Sequence, residues 1–312
     1  MVPIRVGRQT DMKLTILIAS ISLVSFSGMA GGFDLGKALE EQLRKSQTKS
    51  QPVPAQEGDP ANSTSPPKNK VDAGAIAFGL FGSYSTEDEI RIGQQIAGNL
   101  LGAVPLVRDD GLQRYVNLVG NWVVAQSGRT ELPWRFGVLD TQDVNAFAAP
   151  GGYVFITLGL YRQLKSEAEL AGVLGHEIAH ITQKHHLKVL KKSNLISAAG
   201  QAVSRKVKNN DQVVQNVIGN GAEIMARGLD KEAEFEADRV GTVYAARAGY
   251  DPWGLPAVLQ DLAAMPRDNR TSLLFKTHPQ PDERLSRLGD AIGDRFDRLN
   301  GKELDGRLYK LR

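Results

Sequence analysis

Ala171 to His186 reads AGVLGHEIAHITQKHH. At its centre, His176-Glu177-Ile178-Ala179-His180 is an H-E-x-x-H pattern. On a helix, positions i and i+4 share a face about one turn apart, so His176 and His180 can aim two imidazoles at one metal ion. Glu177 sits beside the first, where its carboxylate can hold a water and take its proton as the water attacks a carbonyl. A catalytic zinc takes three protein ligands and leaves a fourth position for water. The pattern therefore points to zinc-dependent peptide hydrolysis. The plain alternative is a buried helix whose histidines and glutamate only make hydrogen bonds.

The helix is legible without the motif. Ser166 and Glu169 form a capping box. Leu170, Val173, Leu174, Ile178 and Ile181 recur at helical spacing as one buried stripe. Gly172 and Gly175 weaken a helix, so their presence signals close backbone packing. A third ligand is expected further on. Asp230 caps a helix running to about Ala248, with Gly249 as its stop. Glu234 and Asp238 share one face of it, beside Ala237, Gly241 and Ala245, whose small size permits close approach to the motif helix. Glu234 can ligate zinc while Asp238 accepts the free N–H of a ligand histidine. Glu232 and Glu236, two residues away, are expected to be solvated. Asp251-Pro252 starts the next helix.

Upstream, Thr86 and Glu89 read as a capping box opening a helix to about Leu101. Asp109 and Asp110 open a second through about Ala125, with Leu112, Tyr115, Val116, Leu118, Val119 and Trp122 as its buried side. Trp134, Phe136 and Val138 alternate with Arg135 and Gly137 as a strand. Pro150-Gly151-Gly152 is turn chemistry leading into a second strand, Tyr153 to Leu158, whose free edge could pair with an extended substrate or simply cover the core. Downstream, His278 precedes a helix with Arg284 and Arg287. It is either an oxyanion stabiliser, a fourth ligand, or a loop histidine with a structural hydrogen bond; Arg284 is a second candidate to steady the oxyanion. The whole reads as a mostly helical α+β domain with a small sheet.

The 312 residues include no cysteine, so there are no disulfides. Residues 1–30 read as a secretory signal: Arg5, Arg8 and Lys13, the apolar run LTILIASISLV from Leu14 to Val24, then Gly28-Met29-Ala30 as a small-x-small cleavage site. The alternative is an uncleaved anchor. Met12 offers a second start. Residues 1–30 hold three basic side chains and one acidic, so without them the formal +3 falls to about +1 and no nucleic-acid partner is indicated. Residues 31–71 form a tail in which Ser46 to Lys70 is a linker with almost nothing to bury. The catalytic domain is expected over 72–290, with a mobile loop near 205–212 and a C-terminal extension, 291–312, packed on its edge.

Four separated stretches, NAFAAPGGYVFITLGL, SEAELAGVLGHEIAHITQKH, EFEAD and THPQPDER, resemble the HtpX and CAAX-prenyl-endopeptidase family of zinc metallopeptidases, nearest its soluble, exported BepA-type branch. The resemblance covers about residues 85 to 290. It implies a zincin-like (gluzincin) fold whose small sheet turns an edge strand toward the cleft. One zinc per chain is implied on His176, His180 and Glu234, with Glu177 as general base and Asp238 behind a ligand. Asn145 and Ala146 lie on the substrate-facing strand, His278 can reach the metal, and His185 is structural. The implied activity is endopeptidase quality control of unfolded or misassembled proteins in the periplasm, with peripheral association with the envelope membrane or its proteins. A chaperone-like protein whose metal is capped by His278 is the alternative. BepA-type proteins follow the protease with helical repeats. None is read in the 22 residues after Asp290, so the resemblance does not extend to recruiting outer-membrane assembly machinery.

Overall fold

The computed structural model describes residues 83–192, 228–296, 298–299 and 301–311. The expected signal, linker and 205–212 loop lie outside them. The architecture is α+β and mostly helical. In chain order come α1 (Thr86–Ala103), α2 (Asp110–Val124), β1 (Arg135–Leu139), β2 (Ala146–Ala149), β3 (Tyr153–Thr157), α3 (Leu158–Tyr161), α4 (Glu167–Thr182), α5 (Lys231–Arg247), α6 (Gly254–Ala264), α7 (Ser272–Thr277) and α8 (Pro281–Ile292). A 3-10 turn, Asp305–Arg307, follows.

The sheet is mixed, in the order β1-β3-β2. β1 runs parallel to β3, pairing Arg135 with Tyr153 and Leu139 with Thr157. β2 runs antiparallel to β3, pairing Ala146 with Ile156 and Ala149 with Tyr153. Gly151 and Gly152, at φ of 74° and 96°, make the turn between them, a conformation that costs glycine little. β3 is therefore central and has no free edge. Among the described residues β2 pairs with a strand on one side only, a correction to the expectation for Tyr153 to Leu158.

Both faces of the sheet are covered. Phe136, Val138, Ala148, Val154 and Ile156 join the principal core with α2 and α4. Phe147, Ala149 and Phe155 face the other way, onto Ile92, Ile96 and Leu100 of α1. Alternation along each strand thus sorts side chains between two cores, not between core and water, and only Arg135 of β1 is exposed.

Local signals were off by small, explicable amounts. The capping box of α1 is Ser85 with Asp88, not Thr86 with Glu89. Glu89 is instead fully buried, paired with Arg129 at 3.2 Å and accepting from the Gly151 N–H. Asp109 caps α2 as expected, and Leu112, Val116 and Val119 are buried, but Leu118 and Trp122 are 67% and 58% exposed; Val123 and Val124 complete the buried side. α6 begins at Gly254, after a turn in which Asp251 accepts from the Trp253 N–H.

α4 is capped by Ser166, while Glu169 reaches back to the Lys165 N–H. It is buried nearly all round, from Glu167 to Ile181, not along one stripe. Its entry is fixed by Glu167, which accepts from Tyr115 and Tyr250 hydroxyls at 2.9 and 3.0 Å. Gly172 lies against the Leu255 backbone of α6, and Gly175 against Gly241 of α5. These contacts between small residues seat the two site-bearing helices, α4 and α5, backbone against backbone. Leu304, Leu308, Tyr309 and Leu311 pack against the principal core.

Candidate active site

The site assembles at the crossing of α4 and α5, under the start of β2. α4 contributes His176, Glu177 and His180; α5 contributes Glu234 and Asp238. His278 enters as the C-cap of α7, with Pro279 behind it and Pro281 opening α8. Arg284 comes from α8.

Ligand-type atoms of His176, His180, Glu234 and His278 all lie within 4.8 Å of one another. His176 Nε2 is 2.9 Å from His180 Nε2. Glu234 lies 3.7 Å from the first and 3.5 Å from the second. Donors around a tetrahedral zinc at 2.0–2.1 Å sit roughly 3.3 Å apart, so these separations bracket what such an ion requires. Glu234 Oε1 and Glu177 Oε2 are buried without a hydrogen-bond partner. Buried polar atoms are ordinarily satisfied, and unpartnered carboxylate oxygens beside two imidazoles suit a bound cation. The residues fit a zinc ion.

The surroundings set the charges. Burial, then the neighbouring imidazoles, push His180 well below its ordinary pKa, leaving it neutral, the form that ligates. Burial alone would raise Glu234; His278 at 3.0 Å and Arg284 at 3.2 Å reverse this and hold it at about 2. Burial likewise works against Asp238, but Arg284 and His176 keep its carboxyl well below the usual range. Glu177 goes the other way: burial raises it, and His278 and His176 only partly offset that. Burial would lower His278, yet the Glu234 and Glu177 carboxylates lift it to about 9.

Asp238 Oδ1 lies 2.8 Å from His176 Nδ1. Arg284 grips Asp238 with Nε at 2.8 Å and Nη2 at 2.6 Å, and its Nη1 reaches Glu234. The guanidinium expected to meet substrate is thus committed to Asp238, which backs His176, and to Glu234 of the candidate ligand cluster. Asn145 is fully buried; its Oδ1 accepts from Thr277, and its backbone locks to Thr157. The neighbouring Ala146 carbonyl is the group that faces His278, 3.4 Å from Nε2. Glu236, expected in solvent, meets His185 at 3.1 Å; Glu232 is solvent-exposed.

Two small voids flank Glu177. One, of about 30 Å³, is walled by Val173, Leu255, Val258 and Leu274 beside His176 and Arg284. The other, of about 10 Å³, runs along Ala146, Phe147 and Ala148 to His186. His186 was not singled out by sequence. Its Nδ1 is buried without a partner, and burial lowers its pKa to about 4. No spacing rule would find it, because α4 stops at Thr182 and the chain turns at Lys184, φ 56°, before a new helical segment over 185–192.

The chain is 30% identical over 212 residues to the beta-barrel assembly-enhancing protease of Yersinia pestis, covering 65% of this chain and 44% of that protein. It is 32% identical over 161 residues to the mitochondrial metalloendopeptidase OMA1 of Arabidopsis thaliana, covering 51% and 32%. It is 33% identical over 162 residues to the metalloprotease YcaL of Escherichia coli K12, covering 51% and 63%. The match thus spans less than half the length of the assembly-enhancing protease. The profile of peptidase family M48 covers residues 111–292, more than half of the chain and every residue of the cluster, and the chain belongs to that family.

Proposed function

We propose that the chain is a zinc-dependent endopeptidase of the cell envelope that cuts extended segments of unfolded or misassembled proteins. The observation that carries this is the convergence of His176, His180 and Glu234 with Glu177 beside them, next to Ala146 of β2, which among the described residues pairs with a strand on one side only. His176, His180 and Glu234 hold the metal; zinc bound there supplies Lewis acidity toward a carbonyl and a water. Ala146 and its strand neighbours bind substrate as one more strand. Glu177 Oε2 takes the proton of the attacking water. Water oxygen bonds to the carbonyl carbon, the C–N bond breaks, and Glu177 returns the proton to the departing amine. Its burial suits a carboxyl that must hold a proton between the two steps. His278 steadies the oxyanion, and Arg284 acts through Asp238 and Glu234.

The envelope setting is supported by the secretory pattern of residues 1–30, read as a cleaved signal or a retained anchor, and by the name of the assembly-enhancing relatives. Among the described residues, no helix is long and apolar enough to cross a membrane. Nucleic acid is not a proposed partner.

Metal content and casein cleavage by the full chain and Glu177→Gln test the reading. Equal zinc in both is expected, with cleavage reduced about 10²–10⁴-fold by the substitution. A folded chain without zinc, or a Glu177→Gln variant that still cleaves, refutes it. A second reading, a low-activity site capped by His278, is favoured by that residue's place within the ligand cluster. His278→Ala then raises cleavage; an unchanged or lower rate counts against capping.

A further inference from the structure

We infer that Glu236 and His185 form an orienting relay that fixes which nitrogen of His180 faces the metal, and thereby help set the chain's metal affinity. This rests on the zinc reading above. His180 Nε2 faces the cluster, 2.9 Å from His176 Nε2 and 3.5 Å from Glu234. Its Nδ1 points away, 2.9 Å from His185 Nδ1. Between two neutral imidazoles at that distance, one nitrogen donates and the other accepts. For His180 to offer a lone pair at Nε2, its proton must sit on Nδ1, so His185 Nδ1 must accept. His185 then carries its proton on Nε2, which lies 3.1 Å from Glu236 Oε2. An ionised carboxylate can only accept. Glu236 therefore selects the Nε2–H form of His185, and His185 selects the Nδ1–H form of His180.

The break after α4 makes this contact. On an unbroken helix, residue i+5 lies about 140° round the axis from residue i. Lys184 at φ 56° redirects the chain and brings His185 back onto the ring five residues before it. The two ligand histidines are thus oriented differently: His176 directly by a buried Asp238 gripped by Arg284, His180 through an intervening imidazole. The Glu236 side chain is 38% exposed and borders an open cavity of about 350 Å³, so it can be replaced without stranding a buried charge.

The test uses the full chain stripped of metal, with zinc affinity measured by competition against a chelator and folding followed by far-UV circular dichroism. Zinc binding by the unaltered chain checks the metal reading separately. The tautomer of His180, read by ¹⁵N–¹H correlation in the metal-free protein, checks the relay whether or not that reading stands. Glu236→Leu and His185→Leu are each expected to weaken zinc about 10–100-fold, as loss of such outer partners does elsewhere. Both should also turn His180 into a mixture of tautomers. His185→Asn, whose Oδ1 can accept in place of Nδ1, should recover much of the affinity. If His185→Leu does not fold, the surface variant Glu236→Leu decides. Unchanged zinc affinity in folded Glu236→Leu, an equal loss in His185→Asn and His185→Leu, or an Nε2–H His180 in the unaltered metal-free chain overturns the relay.

Discussion

Gly241→Ala adds one methyl group at the crossing of α4 and α5. A Cβ at Gly241 would lie 2.5 Å from the His176 backbone nitrogen and 2.6 Å from the Gly175 carbonyl carbon, where ordinary contact begins at 3.4 Å. The shortfall is about 0.9 Å, and because the obstructing atoms are backbone, no rotamer relieves it. The helices must part. Overpacking of this kind costs about 1–3 kcal/mol, and a rigid obstruction belongs at the upper end. Alanine returns about 1 kcal/mol of helix propensity. The expected net loss is about 2 kcal/mol, a fall in Tm of roughly 4–8 °C for a domain of this size. The functional effect should be larger, since α4 carries His176 and His180 while α5 carries Glu234. Metal sites tolerate only about 0.2 Å in ligand distance, so zinc affinity should drop steeply. Thermal melts and chelator competition measure both quantities. Gly98→Ala in α1 is the control: nothing lies within 4 Å of its added Cβ, and it should gain about 0.5–1 kcal/mol. A Gly241→Ala protein that melts as high as the unaltered chain and binds zinc as tightly would refute the close-approach argument.

Two further outcomes follow from buried charges. Glu89 pins α1 to Arg129 and to the β2–β3 turn, so Glu89→Ala should cost about 1–3 kcal/mol in urea unfolding by taking the acceptor from the buried Gly151 N–H and leaving the Arg129 guanidinium to Glu131 alone. Exposed Glu87→Ala in the same helix should stay within about 0.5 kcal/mol, and equal effects would remove the pair from the account. Asp238 is held below its ordinary pKa in the folded chain, so its contribution is present above about pH 4 and is lost as pH falls toward the depressed value. Urea midpoints of the unaltered chain should therefore fall on acidification below about pH 4. Asp238→Asn should start lower and show a flatter profile there; parallel profiles would show that Asp238 does not link folding to pH.

Much was legible where the signal is local. Asp109, Ser166 and Asp230 are N-cap side chains whose hydrogen bonds close within three residues, so each start could be read in place. Gly172, Gly175 and Gly241 announced close helix contact because a helix interior tolerates glycine at a cost that packing must offset. The i, i+4 spacing put His176 with His180 and Glu234 with Asp238, because helical geometry alone fixes both pairs. Where two readings competed locally, the sequence could not choose. Glu89 fitted a capping box, but the distant Arg129 claims it. Leu118 and Trp122 fitted an apolar face, yet α2 presents its other side to the sheet.

The sequence by itself determined most of the helices and the two pairs, His176 with His180 and Glu234 with Asp238, that share a helix face, since these depend on spacings of three or four residues along one axis. The tertiary structure decided which groups meet across elements: that among the described residues β2, not β3, is the strand at the sheet's edge; that Asn145 turns inward while Ala146 faces His278; that Arg284 serves Asp238 and Glu234. It also decided that the run of histidines from 176 to 186 is two helical segments and not one. A single left-handed residue, Lys184, sends His185 back to His180 and His186 toward the cleft. That outcome depends on one backbone torsion, and local residue spacing does not encode it.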